Sequence, residues 1–289
     1  MLDYSAGRNW RSAEVPQTVS PKDAILYALG AGFGQDPMNT AELRFVTEPE
    51  LRVMPSMAAV LCYPGFWMRD HPGTGIDYVR IVHGEQSVTL HRPLPAERPL
   101  VGVSRVTRIV DKGRGKGAVV YVAKEIVDAQ SREPIASCES VVFCRGDGGF
   151  SEAGAGDEPV SPPRPTPDTA PDLTIDLQTR PESALVYRLS GDFNPLHSDP
   201  AVAATAGFAR PILHGLATYA TACRGLLATF CGYDPTRLKA IRARFSAPTY
   251  PGDLLRLECW RLGEDIAFRA TVPARDVLVL SHGRAVCVR

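Results

Sequence analysis

The sequence predicts an α+β fold built on antiparallel sheet. Two series of β-branched runs carry this prediction, from Tyr78 to Arg145 and from Leu238 to Val288. A single long Ala-, Gly- and Thr-rich helix candidate, Ile212 to Cys231, lies between them. Strands this close in sequence pair antiparallel, because a parallel pair needs a crossover of about a dozen residues or more.

Taken in order, Ser20-Pro21-Lys22-Asp23 starts a helix, with Ser20 as cap and Pro21 as first residue, and the glycines at 30, 32 and 34 stop it. Leu43 to Thr47 reads as a short strand. Val53 to Tyr63 is apolar and fits helix or strand equally. Pro64, Gly65, Pro72 and Gly73 exclude a long helix over the next stretch. The first β series comprises Tyr78–Val82, Ser87–His91, Leu100–Val110, Gly117–Val127 and Ile135–Cys144. Pro93/Pro95, Gly113/Gly115 and Arg132/Pro134 mark turns between them. Residues 146–172 are Gly- and Pro-rich, with too little apolar surface to pack, and read as a partly extended, flexible linker. The expected division is therefore 1–145, linker 146–172, and 173–289. In the last part, Leu173–Leu177 is a strand candidate. Asp199 and Pro200 cap and open a short helix that Gly207 ends, Pro211 opens the long helix, and Gly232 suits its C-terminal end. Strands Leu238–Phe245, Asp253–Leu262, Asp265–Val272 and Val277–Val288 complete the chain.

Composition excludes several classes. The chain has 289 residues with 32 basic and 32 acidic side chains, so no broad electrostatic footprint for nucleic acid exists. No run approaches a membrane span, and the first residues lack the apolar core of a signal peptide, so a cytoplasmic location is expected. The 7 cysteines form no CxxC pair and read as reduced thiols. The histidines (His71, His83, His91, His197, His214, His282) are scattered, so neither a metal nor a separate cofactor is expected.

One run concentrates chemistry. Ser190-Gly-Asp-Phe-Asn-Pro-Leu-His197 places a carboxylate (Asp192), an amide (Asn194) and an imidazole (His197) close enough to share one water. Asp199-Pro200, Gly207-Phe208 and Pro211-Ile-Leu-His-Gly-Leu216 follow. First-turn N–H groups of a helix lack internal partners and favour negative charge. Together with Tyr187, this run resembles the signature of the (R)-specific enoyl-CoA hydratases, the hydratase 2 or MaoC-like dehydratase family.

The resemblance implies a fused pair of hotdog halves, each a curved antiparallel sheet around a helix. The first half carries no copy of the motif and no intact central helix, so an acyl chain is expected to lodge in the gap near Val53 to Trp67. A weak rhyme supports duplication: His83-Gly84 stands ahead of Leu90-His-Arg-Pro and strand Leu100–Val110, as His214-Gly215 stands ahead of Phe245-Ser-Ala-Pro and strand Leu254–Leu262. The resemblance also implies hydration of trans-2-enoyl-CoA to (3R)-3-hydroxyacyl-CoA, and the reverse dehydration. Asp192 is then the base toward water, His197 the proton donor, Asn194 a positioning group, and the Gly215 N–H the thioester-oxygen donor. His83, Gly84, Phe208 and His214 are candidate substrate contacts. Lys112, Arg114 and Lys116, on a basic turn, are candidate partners for the CoA phosphates; a solvated hairpin is the plain alternative. Coenzyme A is part of the substrate, and a homodimer is compatible with this reading.

Other readings are weaker. Gly191-Asp192 alone is an ordinary turn pair. A calcium loop fails because Leu196, His197 and Ala203 stand where a ligand, a glycine and a glutamate are required. A hotdog thioesterase places an acid on its central helix, and Ile212 to Cys231 has neither Asp nor Glu. A non-catalytic acyl-binding subunit would be expected to have an eroded motif, and this one is intact.

Overall fold

The computed structural model describes residues 2–288. Its strands are β1 (Val15–Thr18), β2 (Ile81–Leu90), β3 (Pro99–Asp111), β4 (Ala118–Asp128), β5 (Pro134–Cys144), β6 (Leu173–Gln178), β7 (Leu238–Phe245), β8 (Leu254–Leu262), β9 (Asp265–Val272) and β10 (Val277–Cys287). Its α-helices are α1 (Tyr4–Arg8), α2 (Pro21–Gly30), α3 (Thr40–Leu43), α4 (Trp67–Asp70), α5 (Ser183–Tyr187), α6 (Pro200–Thr205) and α7 (Gly215–Cys231).

The strands form one ten-stranded sheet in the order β1-β3-β4-β5-β2-β7-β10-β9-β8-β6. Every pairing is antiparallel. The order is the same read inward from either edge: an early short strand, then the second, third and fourth strands of the series, then its first strand at the centre. The two series meet where β2 pairs with β7, from Glu85↔Arg244 to Thr89↔Ala240. This is the duplicated α+β architecture that the sequence implies, and one apolar core runs through both series, from Val19 to Ala285.

Helix α7 lies against the second series. Gly225 allows close approach, since a Cβ there would come within 2.8 Å of the Leu177 side chain. The Tyr219 hydroxyl donates to Ile241 O on β7 at 2.8 Å. Gly232, at φ 58°, ends the helix as expected. Helix α2 starts at the predicted capping box, with Ser20 and Asp23 exchanging hydrogen bonds.

Four expectations are corrected. Leu43–Thr47 is not a strand: the Asn39 side chain accepts from Glu42 N–H and turns the chain into α3. Tyr78–Val82 and Ser87–His91 are not two strands: Tyr78–Arg80 form a 3₁₀ turn, and the one strand β2 runs from Ile81 to Leu90 through a bulge at Gly84. The long helix begins at Gly215, since the chain from Phe208 to His214 is used for outside bonds, Leu213 N–H to Thr249 O among them. At Ala58 the expected gap in the first half is closed. A single turn of 3₁₀ helix, Pro55–Ala59, stands where α7 stands in the second, and Ala58 is fully buried in the shared core.

Residues 146–172 are largely extended, and they are fastened along their length. Asp157 exchanges bonds with the Ile109 backbone, Arg284 donates to Pro165 O, and Trp260 Nε1 donates to Thr169 O and Ala170 O. Phe150 adds a buried apolar anchor near the start of the segment, and backbone and side-chain polar groups hold the rest.

Because Ala58 is fully buried in the core, Ala58→Trp should destabilise the fold by about 3 kcal/mol, the upper range for overpacking. The urea unfolding midpoint reads this. An unchanged midpoint would mean the Pro55–Ala59 turn can move aside and leave a gap.

Candidate active site

After α5, a 3₁₀ turn (Arg188–Ser190) ends at Gly191, whose φ of 114° suits glycine alone. The chain then emerges with Asp192 exposed. Asp192 Oδ1 accepts from Asn194 N–H at 3.2 Å, and Asn194 Oδ1 accepts from Leu196 N–H at 3.1 Å. These local bonds open a second 3₁₀ turn, Pro195–His197, which drives His197 inward. Asp199 caps α6, and Gly207, at φ 85°, ends it.

His197 is buried and donates Nδ1–H to Ile212 O at 2.9 Å. In its neutral form Nε2 therefore carries the lone pair. His214 donates Nε2–H to the backbone oxygen of Asp192 at 3.1 Å. The two imidazoles stack with centroids 3.7 Å apart and planes at 26°. Asp192, His197 and His214 offer side-chain atoms within 4.8 Å of one another. Two carboxylate-flanked imidazoles can suggest a metal centre. Here the rings are nearly parallel, so their in-plane lone pairs do not converge on one ion.

Helix α7 begins beside this group. The N–H groups of Gly215 and Leu216 lie in its first turn and have no acceptor within the helix. Gly215 is exposed, and the Phe245 ring lies 3.4 Å from where its Cβ would stand. The His83 ring meets Phe245 edge-on at 4.9 Å, so the first series reaches the site across the β2–β7 pairing. His83 Nε2 is 3.0 Å from Glu85 O.

Burial sets the charge state of the imidazoles. It pushes His83 down to about 4. It also lowers His197, against the opposing pull of the Ile212 carbonyl and the Asp192 carboxylate. His214 is lowered by burial and then by the neighbouring His197.

Of the residues expected from sequence, Asp192, His197, His214 and Gly215 come together, with Asn194 on the same loop and His83 behind Phe245. Gly84 is the bulge residue of β2; a Cβ there would lie 3.2 Å from Val141 O. Phe208 is half-buried just past α6, its N–H bonded to Ala203 O. Lys112, Arg114 and Lys116 are exposed on the β3–β4 hairpin, where Arg114 pairs with Glu152 at 2.8 Å. Asp111 at the hairpin base accepts from Gly113, Gly149 and Ser151; burial opposes these bonds, yet they hold its carboxyl at about 2. No side-chain bond among the described residues links this hairpin to the Asp192 group.

Sequence reasoning missed Tyr63 and Phe245, and it gave Tyr187 no contact within the site. Tyr63 is exposed, and burial of part of its ring with the nearby Asp192 charge raises its pKa. Arg188 lies 4.9 Å over the Phe193 ring beside the same loop. Tyr187 was visible within the motif, whereas Tyr63 and Phe245 are joined to it only by tertiary pairing.

The MaoC like domain matches residues 162–281, and the MFE-2 hydratase 2 N-terminal domain matches residues 18–146. The chain is 41% identical over 261 residues to 3-hydroxyacyl-thioester dehydratase Y of Mycobacterium tuberculosis, covering 88% of this chain and 87% of the relative. It belongs to the MaoC-like dehydratase and hydratase 2 family. The peroxisomal enoyl-CoA hydratase 2 of Arabidopsis thaliana is 34% identical, covering 93% of this chain and 90% of that protein. The crystal structure of the MaoC-like dehydratase from Phytophthora capsici superposes with a TM-score of 0.86 at 32% identity, over 100% of this chain and 99% of that one. The fold is thus the hotdog fold of the MaoC-like dehydratases, in duplicate.

The buried imidazoles of this MaoC-like chain make a pH prediction. His83, His197 and His214 all have pKa values below their ordinary 6.5. Below pH 6.5 the unfolded chain binds more protons at these rings than the folded one. Their contribution to stability is therefore complete above 6.5 and is lost as pH falls toward 4. The melting temperature should decline through that window, and His83→Gln should flatten part of the decline. A variant profile parallel to the unsubstituted one would contradict this.

Proposed function

We propose that this chain is a hydro-lyase that adds water across the C2–C3 double bond of trans-2-enoyl-CoA, and that it also catalyses the reverse dehydration. The observation that carries the proposal is the placement of Asp192 and His197 beside the first turn of α7. A base, an acid and N–H donors for an enolate oxygen are the groups this reaction needs.

In the hydration direction, a water lies between Asp192 and His197. Asp192 takes one of its protons as the water oxygen bonds to C3. The π electrons move toward the thioester, and the Gly215 N–H holds the oxygen that becomes anionic. His197, loaded with a proton at Nε2, gives it to C2. The proton gained by Asp192 balances the one lost by His197, and its passage between the two resets the site. Asn194 has its Oδ1 occupied by Leu196 N–H, which leaves its amide N–H free to orient the water or the substrate amide. No step requires a metal or a second cofactor. The (3R) configuration rests on the family relationship.

The hairpin lysines and Arg114 remain the proposed partners of the CoA phosphates. Helices long and apolar enough to cross a membrane are absent among the described residues. We place the chain in the cytoplasm on its free thiols, while the Arabidopsis relative carries a peroxisomal name.

Crotonyl-CoA tests the reading. Absorbance of the enoyl thioester band should fall on addition of enzyme, and chiral analysis should give the (3R) product. Asp192→Asn and His197→Ala should each lower kcat about 10²- to 10⁴-fold without loss of fold. Retention of more than about a tenth of the rate by either variant is incompatible with that scale, and with Asp192 as the base and His197 as the acid.

A further inference from the structure

The loop that carries Asp192, Asn194 and His197 is exposed from Gly191 to Pro195 and becomes buried at His197. Its internal bonds are short-range, within Arg188–Asp199. Among the described residues, two hydrogen bonds tie it to distant parts of the chain. One is His197 Nδ1–H to Ile212 O, and the other is His214 Nε2–H to Asp192 O. Both end on the segment just before α7. That segment is itself fixed by Leu213 N–H to Thr249 O at 2.8 Å and by the helix it leads into.

His214 is 1% exposed. One face of its ring lies on His197, and Tyr187 lies on another side with centroids 5.2 Å apart. The same side chain thus holds the backbone of one reacting residue and the ring of the other. Burial keeps substrate from reaching it. Burial and the adjacent His197 also keep it neutral, with its proton on Nε2. A cationic ring in this place would set like charges against His197 and Arg188.

We propose that His214 is the positioning residue of the site: its Nε2–H pins the Asp192 backbone, and its ring face sets the plane of His197. For its effect on turnover, this rests on the hydratase reading; for the contacts, it does not. Asp192 has little else to hold it, since its own carboxylate bond runs only to Asn194. A displacement of about 1 Å at such a group can cost about 10²-fold in rate.

Three substitutions separate the parts of the idea. In His214→Gln the amide nitrogen reaches the place of Nε2 and restores the donor. In His214→Asn the nitrogen reaches only the place of Nδ1. His214→Phe keeps the stacked face and donates nothing. Two readouts are taken on the full chain: amide hydrogen exchange over residues 188–198, with β3 to β5 as the internal control of folding, and kcat and KM with crotonyl-CoA. His214→Asn and His214→Phe should exchange faster over 188–198 alone and lose about 10²-fold in kcat with KM little changed. His214→Gln, which restores the N–H but not the ring face, should exchange like the unsubstituted chain over 188–198 and lose less in kcat than His214→Phe. If the Asn and Phe variants exchange and turn over normally, the assignment is overturned. It is equally overturned if His214→Gln loosens the loop as much as His214→Phe, because the N–H would then not be the pin. An unsubstituted chain inert toward the enoyl thioester would sink the hydratase reading, while the exchange pattern would still decide the positioning role.

Discussion

Five residue pairs between β2 and β7 make one sheet out of two series of strands. The seam joins the two cores into one and brings His83 against Phe245, beneath the first turn of α7. Arg244 donates twice to Glu85 Oε1 across it, at 2.9 and 2.6 Å. That pair is partly exposed, and such ion pairs contribute little net stability. Ladder bonds and shared burial hold the seam, and the ion pair marks its register. A slip of one residue would turn either Val88 or Ile241 out of the core and carry His83 away from Phe245.

The two series share a strand order and differ in what they hold. The second encloses α7; the first encloses a five-residue 3₁₀ turn, Pro55–Ala59. The turn is stopped by particular contacts. Lys124, on β4, donates its ammonium to Ala59 O and Leu61 O, supplying a cation where helix carbonyls end. Cys62 then takes a left-handed φ of 50°. Gly102 makes room for it, since a Cβ on Gly102 would come within 2.4 Å of the Cys62 Cβ. Helix α7 in turn depends on the first series. Its Arg224 lies 3.7 Å from Glu42 of α3, both largely buried. Removing one partner of such a pair leaves a buried charge and typically costs about 3–5 kcal/mol. Each series is therefore completed by the other, and the site at the start of α7 lies where they meet.

What could be read from the sequence follows from the range of the causes. Strand positions and the caps of α2 and α6 depend on side-chain type and on neighbours a few residues away, so Ser20, Asp199 and Gly232 announced their roles. Asp192, Asn194 and His197 were legible because they sit in one contiguous run. The start of α7 was misjudged because Pro211 has the look of a first helical residue. The chain there is spent on Ile212 O, which holds His197, and on Leu213 N–H, which holds Thr249 O. The filled space around Ala58 was hidden for a related reason. Whether a segment fills a core depends on β2, β5 and α7 together, and Val53 to Tyr63 alone fits several answers. Tyr63, Phe245 and the bond from His214 belong to the same class: each matters through a partner remote in sequence.

The electrostatics of the site follow from where the chain is buried. Asp192 stands in solvent, while His197 and His214 are enclosed and have lowered pKa values. Two stacked imidazolium rings would oppose each other and would also attract the developing negative charge away from the helix. With the resting imidazoles neutral, the positive end of α7 meets no competing cation from them, and its first-turn N–H groups stay available to an anion. The same burial leaves His197 a weak base that releases a proton readily once it has one, as a donor to carbon must. The Asp192 carboxylate opposes burial in this, since its charge raises the pKa of His197.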